Sequence, residues 1–157
     1  MALKISHGLY IFILLFIAAI LNKYFVEIGL ANFYDSLNLP VGTTDNFYFI
    51  LVWRFFYSVL FVSFYIVLQS KSDIEAYSDA NALFIMQLFL QVLWCFSFFY
   101  LEQISVAAII IIFYDAMVWL MLIAFKKINF WAYILLIPYA AWLLFATYMN
   151  ISIVFLN

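Results

Sequence analysis

The sequence predicts an all-α integral membrane protein, a single domain over residues 1–157 folded as a bundle of five transmembrane helices. Hydrophobic residues make up 71% of the 157 positions and charged residues only 9%, whereas soluble domains average about 25% charged residues. The mean hydropathy is +1.19, and the apolar runs are continuous rather than alternating, which is typical of helices. Lysine and arginine total six against eight acidic residues, so a nucleic-acid partner is excluded together with a soluble globule.

The first predicted span runs from about residue 6 to residue 28. Its apolar run from Gly8 to Leu21 could by itself be the hydrophobic region of a signal peptide, with Lys4 in front. No small-x-small cleavage pattern follows, and apolar residues resume at Tyr24. We therefore interpret the segment as a transmembrane helix whose Lys23 extends toward the interface.

Four further segments are long enough to cross the membrane, since a helix needs about 20 mainly apolar residues to do so. They are residues 47–69, 82–101, 104–125 and 130–156. The connection at 29–46 is the longest and is rich in turn residues, which predicts a structured loop.

Lysines in the short connections predict the orientation, because cytoplasmic loops carry an excess of Lys and Arg. The N-terminal segment and the second and fourth connections share one side, and the other side holds only Lys23. The first group consists of Lys4, Lys71, Lys126 and Lys127. The N-terminus is therefore predicted in the cytoplasm and the C-terminus outside.

Two charged residues, Arg54 and Asp115, fall within predicted spans, where a charge costs about 2.5–3.5 kcal/mol. In one interpretation they are buried charges that form a pair or the polar wall of a cavity. In the other, Arg54 extends to a lipid headgroup and Asp115 holds a buried hydrogen bond. Asp115 is too short to reach the interface, which favours a buried role for it.

Aromatic and amide residues share one face on each of three predicted helices. They are Trp53 and Tyr57 in the second span, Gln87, Gln91 and Trp94 in the third, and Trp142, Ala146 and Asn150 in the fifth. Such faces could surround a flat apolar ligand that is held by a few polar contacts. Alternatively, the amides join helices and the aromatic residues form interfacial belts, which composition alone favours.

No catalytic or metal-binding constellation is apparent, because the chain has one histidine, His7, and one cysteine, Cys95. The fifth span carries the strongest motif. Residues 138–150 read PYAAWLLFATYMN and match P-Y-x-x-W-x-x-F-A-T-x-x-N, the fifth-helix pattern of the TspO/translocator protein family. This family is also described as tryptophan-rich sensory or peripheral benzodiazepine receptor proteins.

Other segments extend the resemblance over nearly the whole chain. The third span resembles the family pattern Q-L-x-L-N-x-x-W-x-x-x-F-F, with Gln91 in place of the asparagine. Residues 33–40 resemble the first-loop pattern, and Trp53 and Tyr57 fall on V-W-x-x-L-Y. One departure is Asp115, which lies about one turn beyond the acidic residue usual in the fourth helix.

The resemblance implies a five-helix bundle, in a lipid bilayer, that binds a porphyrin, haem or another tetrapyrrole, or a sterol-like molecule, with loop 29–46 as a lid. Sensing, transport or porphyrin turnover, and a homodimer, are implied as well. No cofactor is required, although a porphyrin, haem or lipid is expected as a bound molecule. The ligand-binding residues so implied are Tyr34, Trp53, Tyr57, Gln87, Gln91, Trp94, Trp142, Ala146 and Asn150.

Three questions stay open from the sequence. Enzymatic activity is undecided, because light-driven degradation of a porphyrin in a tryptophan-lined cavity needs no acid–base group. A small transporter subunit would use Arg54 and Asp115 as an ion-coupling site. A purely structural membrane protein would show neither flux nor saturable binding.

Overall fold

A computed structural model describes residues 2–43 and 46–157, and these residues form five long helices. The helices are α1 (Ala2–Asn32), α2 (Asn46–Gln69), α3 (Ile74–Cys95), α4 (Ile104–Ile128) and α5 (Phe130–Leu156). Each contains a stretch long and apolar enough to cross a membrane. The predicted fold class, an all-α membrane protein with five transmembrane helices, is confirmed.

The helices close into a ring. Helix α1 packs on α2 and α3, α4 packs on α3 and α5, and α2 packs on α5. At one end of the ring the core is solid, since the ring of Phe64 stacks on those of Phe84 (centroids 4.0 Å apart) and Phe125 (5.7 Å). The opposite end lies beneath the first connection, and there the helices are less tightly packed.

The third helix begins before the predicted third span, which starts at residue 82. Helix α3 begins at Ile74, because the Asp73 carboxylate accepts a hydrogen bond of 2.7 Å from the Ala76 amide and caps the first turn. The polar segment 74–81, which the sequence suggested as part of a connection, is therefore helical. Helix α1 likewise continues to Asn32, so the first connection begins at residue 33 rather than 29. Residues 44–45 of that connection lie outside the described residues.

Helix α3 ends in a π turn, Phe96–Tyr100, which the sequence did not reveal. The Leu101 amide donates to the carbonyl of Phe96, five residues earlier, at 2.9 Å. Because the wider turn changes the angle between successive side chains, Phe98 and Phe99 are both buried. The π turn thus directs two adjacent rings toward the space beneath the first connection.

Candidate functional site

Two adjacent cavities lie at the loop end of the bundle. The larger, which we call the α1–α2 groove, has a volume of about 300 Å³ and is walled by α1 and α2 with α3 as its floor. The smaller, which we call the loop cavity, has a volume of about 50 Å³ and lies between α1, α3, α5 and the first connection. Val26, Ile50 and Trp94 line both, so the two spaces adjoin each other.

Two tryptophans form the aromatic wall of the α1–α2 groove. The rings of Trp53 on α2 and Trp94 on α3 lie with centroids 6.4 Å apart and planes inclined by 32°. The indole Nε1 of Trp94 donates to Asn150 Oδ1 at 2.8 Å, and Asn150 Nδ2 donates to the Ile104 carbonyl at 3.1 Å. Because α5 and α4 hold this hydrogen-bonded chain, the plane of the Trp94 indole is fixed.

A chain of three polar side chains crosses the groove wall. Asn22 Nδ2 donates to the Tyr57 hydroxyl at 2.8 Å, and that hydroxyl donates to Gln91 Oε1 at 3.2 Å. Asn22 is only 9% exposed, and its Oδ1 has no hydrogen-bond partner among the described residues. An otherwise apolar groove is therefore lined by a small set of polar side chains, and one buried acceptor among them is unused.

The first connection covers the loop cavity. The ring of Tyr34 lies against Phe98 and Phe99, with centroids 6.4 Å and 6.1 Å away. Burial, followed by the charge of Asp35, raises the pKa of the Tyr34 phenol, so this group stays protonated at neutral pH. The connection is tied to the far end of α5, where Asn157 Oδ1 accepts from the backbone amide of Asn38 at 2.9 Å.

The structure brings seven of the nine predicted ligand-binding residues to these cavities. Trp53, Tyr57 and Gln91 line the groove, Tyr34, Ala146 and Asn150 line the loop cavity, and Trp94 lines both.

Gln87 and Trp142 are absent from the described linings of both cavities. Gln87 is fully buried and accepts a hydrogen bond of 2.8 Å from the Tyr139 hydroxyl. Trp142 packs against Phe56 and Phe145, with ring centroids 6.2 Å and 5.3 Å away. These two positions thus lie in the packing between helices.

The two charged residues within the spans occupy separate places. Asp115 is buried, and its Oδ2 accepts a hydrogen bond of 2.5 Å from the Thr147 hydroxyl on α5. Arg54 is exposed and lines the α1–α2 groove, so its interpretation as a buried charge is wrong.

We expect Asp115 to be coupled to Thr147 and not to Arg54. In a double-mutant cycle, Thr147→Val should destabilise the parent but scarcely change Asp115→Leu, because its hydrogen-bond partner is then already gone. Such couplings in membrane proteins average about 0.6 kcal/mol and reach about 1.7 kcal/mol. The free energy of unfolding in mixed detergent micelles measures the cycle. As the control, Arg54→Met and Asp115→Leu should add within about 0.5 kcal/mol; recovery of stability in that double mutant would show that the two side chains meet.

Several groove and cavity residues were not predicted from the sequence. Asn22 follows an apolar run, and an amide between apolar stretches is the same signal that selected Gln91. Glu27 lines the groove beside Lys23 and belongs to no sequence motif. Phe98 and Phe99 are the two phenylalanines that end the third-helix pattern, but their burial at the loop cavity depends on the π turn, which no motif predicts.

Chemically, the site suits binding rather than acid–base catalysis. Its walls are mainly aromatic and aliphatic, and apart from the charged side chains its polar groups are two amides, one phenol, two indoles and the thiol of Cys95. Within the described part of the chain, no group of three His, Cys, Asp or Glu side chains could hold a metal ion. A flat apolar molecule with a few hydrogen-bonding groups matches this composition.

Comparisons with known proteins agree with the motif in α5. The model of the TspO/MBR family matches residues 11–156. The chain is 27% identical over 125 residues to the tryptophan-rich protein TspO of Chlorobaculum tepidum, covering 80% of this chain and 79% of that protein. It is 29% identical over 128 residues to the tryptophan-rich sensory protein of Cereibacter sphaeroides, covering 79% and 76%. It is also 29% identical over 136 residues to the tryptophan-rich protein TspO of Archaeoglobus fulgidus, covering 87% of each.

Proposed function

This chain belongs to the TspO/MBR family of multi-pass membrane proteins, and from that membership we propose that it binds a flat hydrophobic molecule in the α1–α2 groove. A tetrapyrrole such as a porphyrin is the first candidate and a sterol-like molecule the second. The ligand serves as a cargo or a signal, for transport, sensing or porphyrin turnover. One observation carries the proposal: a groove of about 300 Å³ joins an aromatic wall to a short polar chain.

The groove offers a flat ligand several favourable contributions. A ring system that packs on Trp53 and Trp94 gains about 0.5–1.5 kcal/mol for each aromatic contact beyond the burial of its surface. A hydrogen bond to Asn22 or Gln91 adds about 0.5–1.5 kcal/mol. A volume of about 300 Å³ is at the small end of ligand pockets, so a tetrapyrrole would extend past the groove's open side.

Access from the bilayer supports the same function. Phe16 and Ile20 on α1 line the groove and are exposed on the outside of the bundle, at 53% and 51%. An apolar ligand dissolved in the membrane could therefore reach the groove between α1 and α2 without crossing water. The first connection, with Tyr34 over the adjoining loop cavity, would act as the lid on the other side.

Of the alternatives, an ion-coupled transporter subunit has less support. Arg54 lines the groove between α1 and α2, whereas Asp115 is bonded to Thr147 between α4 and α5. A coupled ion site would need the two side chains close together. The homodimer, the cytoplasmic N-terminus and the absence of a required cofactor stay predictions of the sequence.

Titration of the purified protein in lipid nanodiscs with protoporphyrin tests the proposal. We expect saturable quenching of tryptophan emission, because a porphyrin in the groove lies against Trp53 and Trp94. As the control, nanodiscs without protein are titrated in the presence of free tryptophan. This sample gives the quenching that occurs when the porphyrin only partitions into lipid. Quenching that rises linearly to the same extent in both samples would contradict the proposal and leave a structural role.

A further inference from the structure

We propose that the α1–α2 groove selects a carboxylate-bearing amphiphile, and that Arg54 binds its carboxylate at the mouth of the groove. The inference rests on the proposed function and names the chemical class of the ligand. Three features of the described residues carry it: an uncompensated cation at the mouth, an aromatic wall beside it, and an unused hydrogen-bond acceptor within.

The mouth of the groove carries one positive charge in excess. Three charged side chains line the groove: Lys23, Glu27 and Arg54. Lys23 and Glu27 are one helical turn apart on α1, and their charges compensate each other across 3.6 Å. Arg54 faces them from α2 and has no ion-pair partner among the described residues. An anion at this mouth therefore meets a net attraction.

Arg54 is also suited to a carboxylate by chemistry and by depth. It is the sole arginine of the sequence, and its planar guanidinium can donate two parallel hydrogen bonds to one carboxylate. It lies eight residues after Asn46, where α2 begins, which is about 12 Å along the helix axis, and its long side chain can extend from there toward the interface. A carboxylate bound to the guanidinium can stay near the headgroup region, while the apolar body attached to it reaches into the groove.

The interior of the groove specifies the rest of the ligand. Trp53 and Trp94 offer aromatic faces to a flat body. Asn22 lines the groove, and its Oδ1 is buried and has no hydrogen-bond partner among the described residues. A ligand with a hydroxyl or N–H donor would satisfy this acceptor, whose burial without a partner is costly.

The phosphate of an anionic lipid carries the same charge and could also reach Arg54. A free carboxylate amphiphile is favoured, because an acyl chain has no flat face for Trp53 and Trp94 and no donor for Asn22 Oδ1. The lipid is therefore treated below as a competing source of the anion.

Two probes that differ only in the carboxylates test the inference: protoporphyrin IX and its dimethyl ester. In nanodiscs of neutral phosphatidylcholine, we expect the parent protein to bind the diacid at least tenfold more tightly than the ester, measured by quenching of tryptophan emission. Arg54→Gln should abolish this preference, and saturable binding of the ester to the variant shows that the variant is folded. Lys127→Gln, at the other end of the bundle, is the control and should keep the parental preference.

A second variant does not depend on the folding of Arg54→Gln. Glu27→Gln removes a negative charge from the same mouth, so it should strengthen diacid binding several-fold relative to ester binding. Equal binding of both probes to the parent, with no effect of either variant, would overturn the carboxylate inference while the proposed function stands. If neither probe binds saturably, the proposed function itself fails.

The lipid source of the anion is separated by adding phosphatidylglycerol to the nanodiscs. If Arg54 binds a free carboxylate, the preference for the diacid should persist at 30% phosphatidylglycerol within about threefold. If the anionic lipid removes the preference as completely as Arg54→Gln does, Arg54 is a headgroup site and the inference is overturned.

Discussion

Replacement of Trp53 by alanine is expected to weaken porphyrin binding at least tenfold. The substitution removes the indole that faces Trp94 across a centroid distance of 6.4 Å and opens one wall of the groove. The lost aromatic contact contributes about 0.5–1.5 kcal/mol and the lost apolar burial adds to it. Since 1.4 kcal/mol is a tenfold change in affinity, the two losses together exceed that factor. Absorption titration in the Soret region measures the effect without relying on tryptophan emission.

Two other tryptophans serve as matched controls. Trp119 on α4 is 48% exposed and Trp131 on α5 is 70% exposed, and neither lines the described cavities. Their alanine variants should bind porphyrin like the parent. If all three variants keep parental affinity, the groove is not the binding site.

For Trp142, the family motif and the geometry of the cavities predict different effects on ligand binding. The resemblance places it at the ligand, whereas the described linings of both cavities leave it out. Geometry therefore predicts a small loss of affinity for Trp142→Phe, which keeps the ring packed on Phe56. A tenfold loss in this variant, with unchanged thermal stability, would show that the ligand extends beyond the groove toward α5.

Gly29→Ala is expected to lower the thermal stability of the bundle. A Cβ at residue 29 would lie 2.6 Å from both Cβ and Cδ1 of Phe99 and 2.8 Å from the Phe99 carbonyl oxygen. The carbonyl and Cβ belong to the π turn and cannot rotate away, so the helices must separate. Overpacking of this kind costs about 1–3 kcal/mol, which corresponds to a melting temperature lower by about 2–12 °C for a protein of this size. Differential scanning fluorimetry in detergent measures it.

Gly8 on the same helix is the matched control. A Cβ there would meet only Tyr65, at an ordinary 3.8 Å. Gly8→Ala should therefore leave the melting temperature unchanged or raise it slightly, because alanine favours the helix by about 1 kcal/mol over glycine. Equal melting temperatures for the two variants would contradict the close approach of α1 to the π turn.

The amino-acid sequence by itself determined the fold class and the family. Five apolar runs of about 20 residues each leave few alternatives in a membrane, because every backbone polar group must be satisfied within its own helix. The motif at residues 138–150 identified the family, and the match over residues 11–156 confirms it. Both conclusions depend on features that can be counted along the chain. The sequence was less reliable at the start of α3, where the Asp73 cap made a polar segment helical.

Only the tertiary structure decided which side chains meet. Asn22, Tyr57 and Gln91 come from three helices, and their hydrogen-bonded chain exists because α1, α2 and α3 present those faces to one groove. The same packing separates Arg54 from Asp115 and places the former beside Lys23 and Glu27. The spacing along one helix gives the residues on each of its faces, but the rotation of that helix against its neighbours depends on all the contacts of the bundle at once.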